Sequence, residues 1–177
     1  MAIRPHTSAA LGRAVRPLHS TTPTSQFRDV MANMAAPVSV ITAADDGVGS
    51  GATVSALMSL SMDPEMIVVA LDRTSATLGM IQRTRRFGVN ILAADQRDVA
   101  MAFASKGADK FIGLDHCLES GVPRLGGISG WVRCTVERIQ PGGDHVLVSG
   151  LVERAFHDPT LEPMTYQGRS FGTHRPG

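Results

Sequence analysis

Residues 49–61, GSGATVSALMSLS, alternate in side-chain character with a period of two. Val54, Ala56, Met58 and Leu60 fall on one side. Thr53, Ser55, Leu57, Ser59 and Ser61 fall on the other, with Leu57 the one apolar residue among hydroxyls. A period of two belongs to a strand, whose side chains point to opposite faces in turn. Glycines open this strand and Asp63-Pro64 closes it.

The neighbouring segments extend the pattern. Val38–Thr42, Met66–Leu71, Phe87–Leu92, Trp131–Ile139 and Val146–Phe156 read as strands, and Met164–Phe171 as a short last one. Asp45-Asp46-Gly47 and Pro141-Gly142-Gly143-Asp144 are turns, the second joining two long strands as a hairpin. Phe27–Ala35 reads as an amphipathic helix, with Phe27, Val30, Met31 and Met34 at helical spacing. A second helix starts near Ser75 and ends in Arg83, Arg85 and Arg86, a favourable charge at a C-terminus. A third starts at Asp95 as its N-cap and runs to about Ser105. Lys106–Gly130 reads as loop. Most strands lack an intervening helix, so the fold class is mainly β: an antiparallel barrel or sandwich with a few short helices at its rim.

The 177 residues suit one domain. Residues 1–26 contain Arg4, Arg13 and Arg16, are rich in Ser and Thr, and hold no acid. Such leaders include organelle transit peptides, but the reading adopted is a disordered, solvated arm. Losing its three arginines takes the formal charge from +1 to −2. The domain is then 27–172, with a tail at 173–177. A near-neutral charge excludes a nucleic-acid partner, and the absence of a run of ~20 apolar residues excludes a membrane span. Cys117 and Cys134 fit neither a metal spacing nor a disulfide framework, so free thiols and a cytoplasmic location are expected.

No familiar catalytic set is present. The six histidines form no H-E-x-x-H, and there is no G-x-S-x-G elbow, Walker loop or G-x-G-x-x-G fingerprint. No metal is expected. His116-Cys117 is adjacent in sequence, which in extended chain points the two side chains apart. Two constellations remain. The hydroxyl-bearing strand Gly51–Ser61 offers donors to a polar ligand, although its pattern alone favours an ordinary half-buried strand. Asp72-Arg73-Thr74-Ser75-Ala76-Thr77, between a strand and a helix, suits an anion and equally suits plain N-capping by Thr74 or Ser75.

In order, FRDVMANMAAPVSVITA, GATVSALMSLSMDP, MIVVALDRTSAT, RFGVNIL, ADQRDVAMAFASKGADKF, GGDHVLVSGLVE and YQGRSF resemble the short-chain flavin reductase family from Phe27 to about Phe171. The resemblance implies a Greek-key split β-barrel, a homodimer, and flavin bound near the dimer interface. It implies an NAD(P)H:flavin oxidoreductase, in which NADH or NADPH reduces exchangeable FMN or FAD and the reduced flavin goes to a separate monooxygenase. A non-catalytic flavin carrier or redox sensor on the same barrel is the alternative, and the GGDH segment favours the enzyme. The implied cofactor-binding set is Gly51, Ala52, Thr53, Ser55, Ala56 and Ser59 along ring and ribityl chain. Leu71, Asp72, Arg73, Ser75, Ala76 and Thr77 lie toward the phosphate, with Lys110 close by. His145 is implied at the nicotinamide, and Tyr166 borders the same pocket. Ala56 stands where many relatives have a second Ser, Leu57 where many have an aromatic, and Glu65 where a proline is usual. With only 5% aromatic residues, few rings are available to hold a flavin tightly.

Overall fold

The structure is a computed structural model that describes residues 23–107 and 110–174. Most of the expected arm, residues 1–22, and the end of the tail, 175–177, lie outside the described residues. Helix α1 (Pro23–Ala32) precedes β1 (Ala36–Pro37), β2 (Ser39–Asp45), β3 (Val48–Val54), β4 (Leu57–Met62) and β5 (Glu65–Asp72). Then come α2 (Ala76–Thr84), β6 (Arg86–Ile91), α3 (Arg97–Ala104), β7 (His116–Glu119) and β8 (Val122–Leu125). The chain closes with β9 (Gly130–Gly142), β10 (His145–His157), β11 (Met164–Gln167) and β12 (Ser170–Thr173).

Seven strands form one sheet in the order β3-β2-β6-β9-β10-β5-β4. Its pairings are all antiparallel. β9 and β10 form the long hairpin, turning through Gly143, whose φ of +74° glycine adopts without steric cost. The two edge strands, β3 and β4, are neighbours in the chain, separated only by Ser55 and Ala56.

Two apolar clusters sit on this sheet. One joins Ile41, Val69, Leu71, Phe87, Val89 and Val148 to Leu78 and Ile81 of α2. The other joins Val38, Val40, Leu92, Trp131 and Met164 to Ala100 and Phe103 of α3. Each buried Leu, Ile or Phe contributes about 1.5–3 kcal/mol, which fixes both helices against the sheet. Asn90 is fully buried and fully used. Its amide donates to the Val40 carbonyl and the Thr42 hydroxyl, both at 3.1 Å, and its oxygen accepts from Leu125 N–H at 2.9 Å.

Several expected elements differ from the structure. The strand read through Gly49–Ser61 is broken at Ser55–Ala56 into β3 and β4. Val54 and Leu57 both pack on the first cluster. They stand three positions apart, an odd step that a continuous strand cannot put on one face, so the break inverts the alternation. Met58, Leu60 and Met62 consequently face outward, 58%, 46% and 78% exposed. The Lys106–Gly130 loop contains the β7–β8 hairpin, whose pairing is invisible to local pattern. Gln96, not Asp95, occupies the N-cap position of α3. Its side chain turns back, accepting from Ala93 N–H at 3.0 Å and donating to the Gly126 carbonyl at 2.8 Å. The last strand is a hairpin, β11–β12, turning at Gly168 and Arg169 with positive φ. Helix α1 starts at Pro23, inside the expected arm, and ends at Ala32 rather than Ala35.

Gly150 on β10 faces Phe87, and a Cβ there would meet the ring at 2.7 Å and Cys134 Cβ at 2.9 Å. Gly150→Ala is expected to cost about 1–3 kcal/mol by overpacking. Urea denaturation checks this, as a lower midpoint with an unchanged slope. Cys117 is exposed, whereas burial pushes the Cys134 thiol up to about 12. A thiol reagent at neutral pH is expected to label one cysteine in the native protein and two in denaturant.

Candidate functional site

Among the described residues, β3 has no strand partner on its outer side. In an antiparallel strand, alternate residues direct both backbone groups to the same side. The Gly51 carbonyl accepts from Lys110 Nζ at 3.2 Å, so it points away from β2. Gly49, Gly51 and Thr53 therefore present their N–H and C=O groups along the open edge.

A cavity of about 710 Å³ runs along that edge. One wall is the first turn of α2. Its N-cap is Ser75, whose hydroxyl accepts from Leu78 N–H at 3.4 Å. Ser75, Ala76 and Thr77 line the cavity, and Thr77 Oγ1 lies 2.9 Å from Ser50 Oγ on β3. Unpaired N–H groups and the positive end of a helix favour an anion at this place.

The opposite wall is the end of α3 and the segment beyond it. Phe103 packs over Gly51 and Phe111 over Gly49. A Cβ at these glycines would stand 2.5 Å and 2.9 Å from the two rings. The rings meet edge to face at 5.0 Å. Lys110 is pinned by two carbonyls, Gly51 at 3.2 Å and Phe103 at 3.0 Å, and burial lowers its pKa. An ammonium has three donors, and carbonyls take two of them. Thr53 Oγ1 donates to the Ala100 carbonyl at 2.7 Å, tying α3 to the strand.

Asp72 lies at the rim. The Thr74 hydroxyl and N–H donate to Asp72 Oδ1 at 2.6 and 2.7 Å and hold its carboxyl below the usual range. His145 is its partner across β5 and β10. His145 Nδ1 lies 2.8 Å from Asp144 Oδ1, and this contact lowers the Asp144 pKa. Arg73 N–H donates to the Asp144 carbonyl at 3.2 Å, joining the β9–β10 turn to the loop before α2.

A second cavity of about 420 Å³ opens where β3 ends. Ser55, Ala56, Tyr166 and Arg169 line it with Phe27, Met31 and Met34 of the N-terminal helical segment. Arg169 holds Asp29 of α1 at 2.6 Å.

Of the residues singled out in the sequence, Gly51, Ala52, Thr53, Asp72, Ser75, Ala76, Thr77 and Lys110 line the first cavity. Ser55, Ala56 and Tyr166 line the second. Four line neither. Leu71 is core, 2% exposed. Ser59 lies on β4, its hydroxyl 3.8 Å from Met62 Sδ. The Arg73 side chain is exposed, and His145 stands beside Asp72. Ser50, Phe103 and Phe111 were not singled out. Their one local signal is the glycine at every second position opposite the rings. No cluster of three or more metal-ligating side chains occurs among the described residues.

Residues 31–175 match the family model described as Flavin reductase like domain. The chain is 38% identical over 150 residues to the reductase component of 4-nitrophenol 4-monooxygenase/4-nitrocatechol 2-monooxygenase of Rhodococcus opacus, covering 84% of this chain and 80% of that protein. It is 37% identical over 154 residues to an NADH:riboflavin 5'-phosphate oxidoreductase of Streptomyces pristinaespiralis, covering 85% and 88%. The solved NADH:FAD oxidoreductase of Streptomyces globisporus C-1027 superposes with a TM-score of 0.83 at 27% identity, covering 91% of this chain and all of that one. A family model that spans most of the domain, relatives above one-third identity and a shared fold agree: the chain belongs to the flavin reductase-like domain family.

Proposed function

We propose that the protein is an NAD(P)H:flavin oxidoreductase that reduces FMN or FAD and releases the reduced flavin to a separate monooxygenase. The observation that carries this reading is the groove along the open edge of β3, with an anion-binding helix terminus on one side and a pinned lysine on the other. The residues fit a flavin. Backbone N–H groups on the edge suit the polar rim of the isoalloxazine, and hydroxyls suit the ribityl chain. The α2 terminus and Lys110 suit the phosphate. Glycine at 49 and 51 keeps the walls close without filling the groove.

Bound flavin supplies a two-electron acceptor for the nicotinamide hydride. The chain's part is to place the two rings and exclude water from between them. Gly51 and Thr53 orient the flavin edge through their backbone groups. Ser75, Ala76, Thr77 and Lys110 would hold its phosphate. His145, with Nδ1 2.8 Å from Asp144 Oδ1, would leave Nε2 for a hydrogen bond to the nicotinamide. Asp72 keeps the loop before α2 in shape through Thr74. Hydride transfer is chemistry of the two cofactor rings and needs no strong general base.

The sheet closes as a split barrel with Greek-key connections in this reading. Support comes from β3 and β4, the two sheet edges, being joined by only two residues. A second copy of the chain covers the apolar surface beside the site. Phe27, Val30, Met31 and Met34 are 62%, 66%, 42% and 58% exposed, and Met58, Leu60 and Met62 form an outward row on β4. An apolar surface of this kind marks an interface. None of the described helices is long and apolar enough to cross a membrane. Two unpaired cysteines and a reduced-nicotinamide substrate fit the cytoplasm.

Lys110→Met is expected to weaken FMN binding about tenfold or more, the scale of a charge-assisted hydrogen bond, and riboflavin binding less. Flavin fluorescence titration reads both, and an equal loss would remove Lys110 from the phosphate. His145→Ala is expected to raise the KM for NADH at least about tenfold, the scale of a lost hydrogen bond to a charged or polar ligand group, while flavin affinity changes little. Steady-state kinetics with parent-like KM for NADH would contradict the assignment.

A further inference from the structure

Helix α1 is held differently from the other two helices. From Ser25 to Ala35 every residue is exposed except Ala32, which is half-buried. Neither apolar cluster contains a residue of α1. Burial, which fixes α2 and α3, therefore contributes little here. Among the described residues, the hydrogen bonds that tie α1 and the residues just after it to the rest of the molecule come from the β11–β12 turn. Gly168 N–H donates to the Ala32 carbonyl at 2.6 Å, and Gln167 Nε2 donates to the Asn33 carbonyl at 2.9 Å. Arg169 Nη2 donates to Asp29 Oδ1 at 2.6 Å.

The last of these contacts comes from a strained residue. Gly168 and Arg169 have φ of +58° and +63°. Positive φ at both central residues suits a tight hairpin, but the second place normally goes to glycine or asparagine. An arginine there works against its own backbone. What it supplies in exchange is a guanidinium that reaches Asp29, which glycine could not provide. Strain kept in this way points from geometry toward function.

The helix that this turn holds is one wall of the second cavity. Phe27, Arg28 and Met31 line the cavity on that side, and Ser55 and Ala56 line it on another. Ser55 directly follows β3, whose Thr53 lines the groove proposed for flavin. Elements with few buried contacts open most readily, and lids are drawn from them. The Asp29–Arg169 pair has both side chains well exposed, at 66% and 63%. Such a pair is weak and screened by salt, enough to hold a wall closed without fixing it.

We infer that α1 is a movable wall and Arg169 its latch: the ion pair with Asp29 holds the helix over the second cavity, and the opening of that wall sets how fast flavin enters and leaves. Arg169 acts through α1 and is a positioning residue. The inference rests on the flavin reading, in which the reduced product must leave at each turnover.

Stopped-flow flavin fluorescence with the full-length protein and FMN gives the association and dissociation rate constants. Arg169→Gly removes the latch and puts at the turn the residue its backbone favours, so the urea midpoint is expected not to fall. Both rate constants are expected to rise about two- to fivefold, the scale of an exposed ion pair. Their ratio, the affinity, is expected to change little, because the wall closes over free and occupied cavity alike. Asp29→Asn is expected to do the same from the helix side. Asp29→Arg combined with Arg169→Asp is expected to restore the wild-type rates, since aspartate also tolerates positive φ. Faster dissociation with unchanged association overturns the inference, because it makes Arg169 a direct contact of the flavin. Unchanged rates in both single variants also overturn it, and are the result if a second copy of the chain pins the helix. In either case FMN still binds and the flavin reading stands. If the wild-type protein binds neither FMN nor FAD, the flavin reading falls and takes the inference with it.

Discussion

β3 keeps an open edge because the chain leaves it at Ser55 and Ala56 and pairs β4 with β5 instead. An open edge carries unpaired N–H and C=O groups and is ordinarily a hazard, since another strand can add to it. Here the edge is flanked rather than paired. α2 stands on one side, with Thr77 against Ser50. The end of α3 stands on the other, held by Lys110 and by Thr53 on the Ala100 carbonyl. The flanking elements leave a groove along the edge.

Glycine sets that width. At 49 and 51 any side chain would collide with Phe111 and Phe103, so the rings approach the backbone directly. The same device recurs inside the sheet, where Gly150 admits the Phe87 ring. Close approach at the groove and close packing in the core thus have one origin: backbone positions without a Cβ on strands that face aromatic rings. The rings lie in the walls. A flavin held by its phosphate and edge, with little stacking on its ring, is suited to leaving after reduction.

Much of this was legible in the sequence. Period-two alternation marked most of the strands, and Gly-Gly-Asp marked the long hairpin. The DRTSAT segment showed a strand-to-helix turn with hydroxyls, and Ser75 proved to be the cap. What local pattern could not show depended on pairing between distant segments. Residues 49–61 read as one strand because each half alternates correctly; the inversion between Val54 and Leu57 appears only when both are seen on the same core. β7 and β8 are four-residue strands set among the glycines at 113, 121 and 126, typical of loops, and their order comes from each other and from Asn90 and Thr42 beneath them. Asp95 is a good capping residue, but the Gln96 side chain bridges Ala93 and Gly126 and takes the position. Phe103 and Phe111 carried no chemical motif, so their place in the groove wall emerged only from the fold.

Hydrogen exchange at single amides, measured by NMR with and without added flavin, tests the central claim that the open edge of β3 is the binding surface. Exchange is expected to slow at Gly51, Thr53, Ala76 and Thr77 when flavin is added, and to remain unchanged at exposed amides of the β7–β8 hairpin. Slowing confined to other parts of the molecule, with Gly51 and Thr53 exchanging as before, would contradict it.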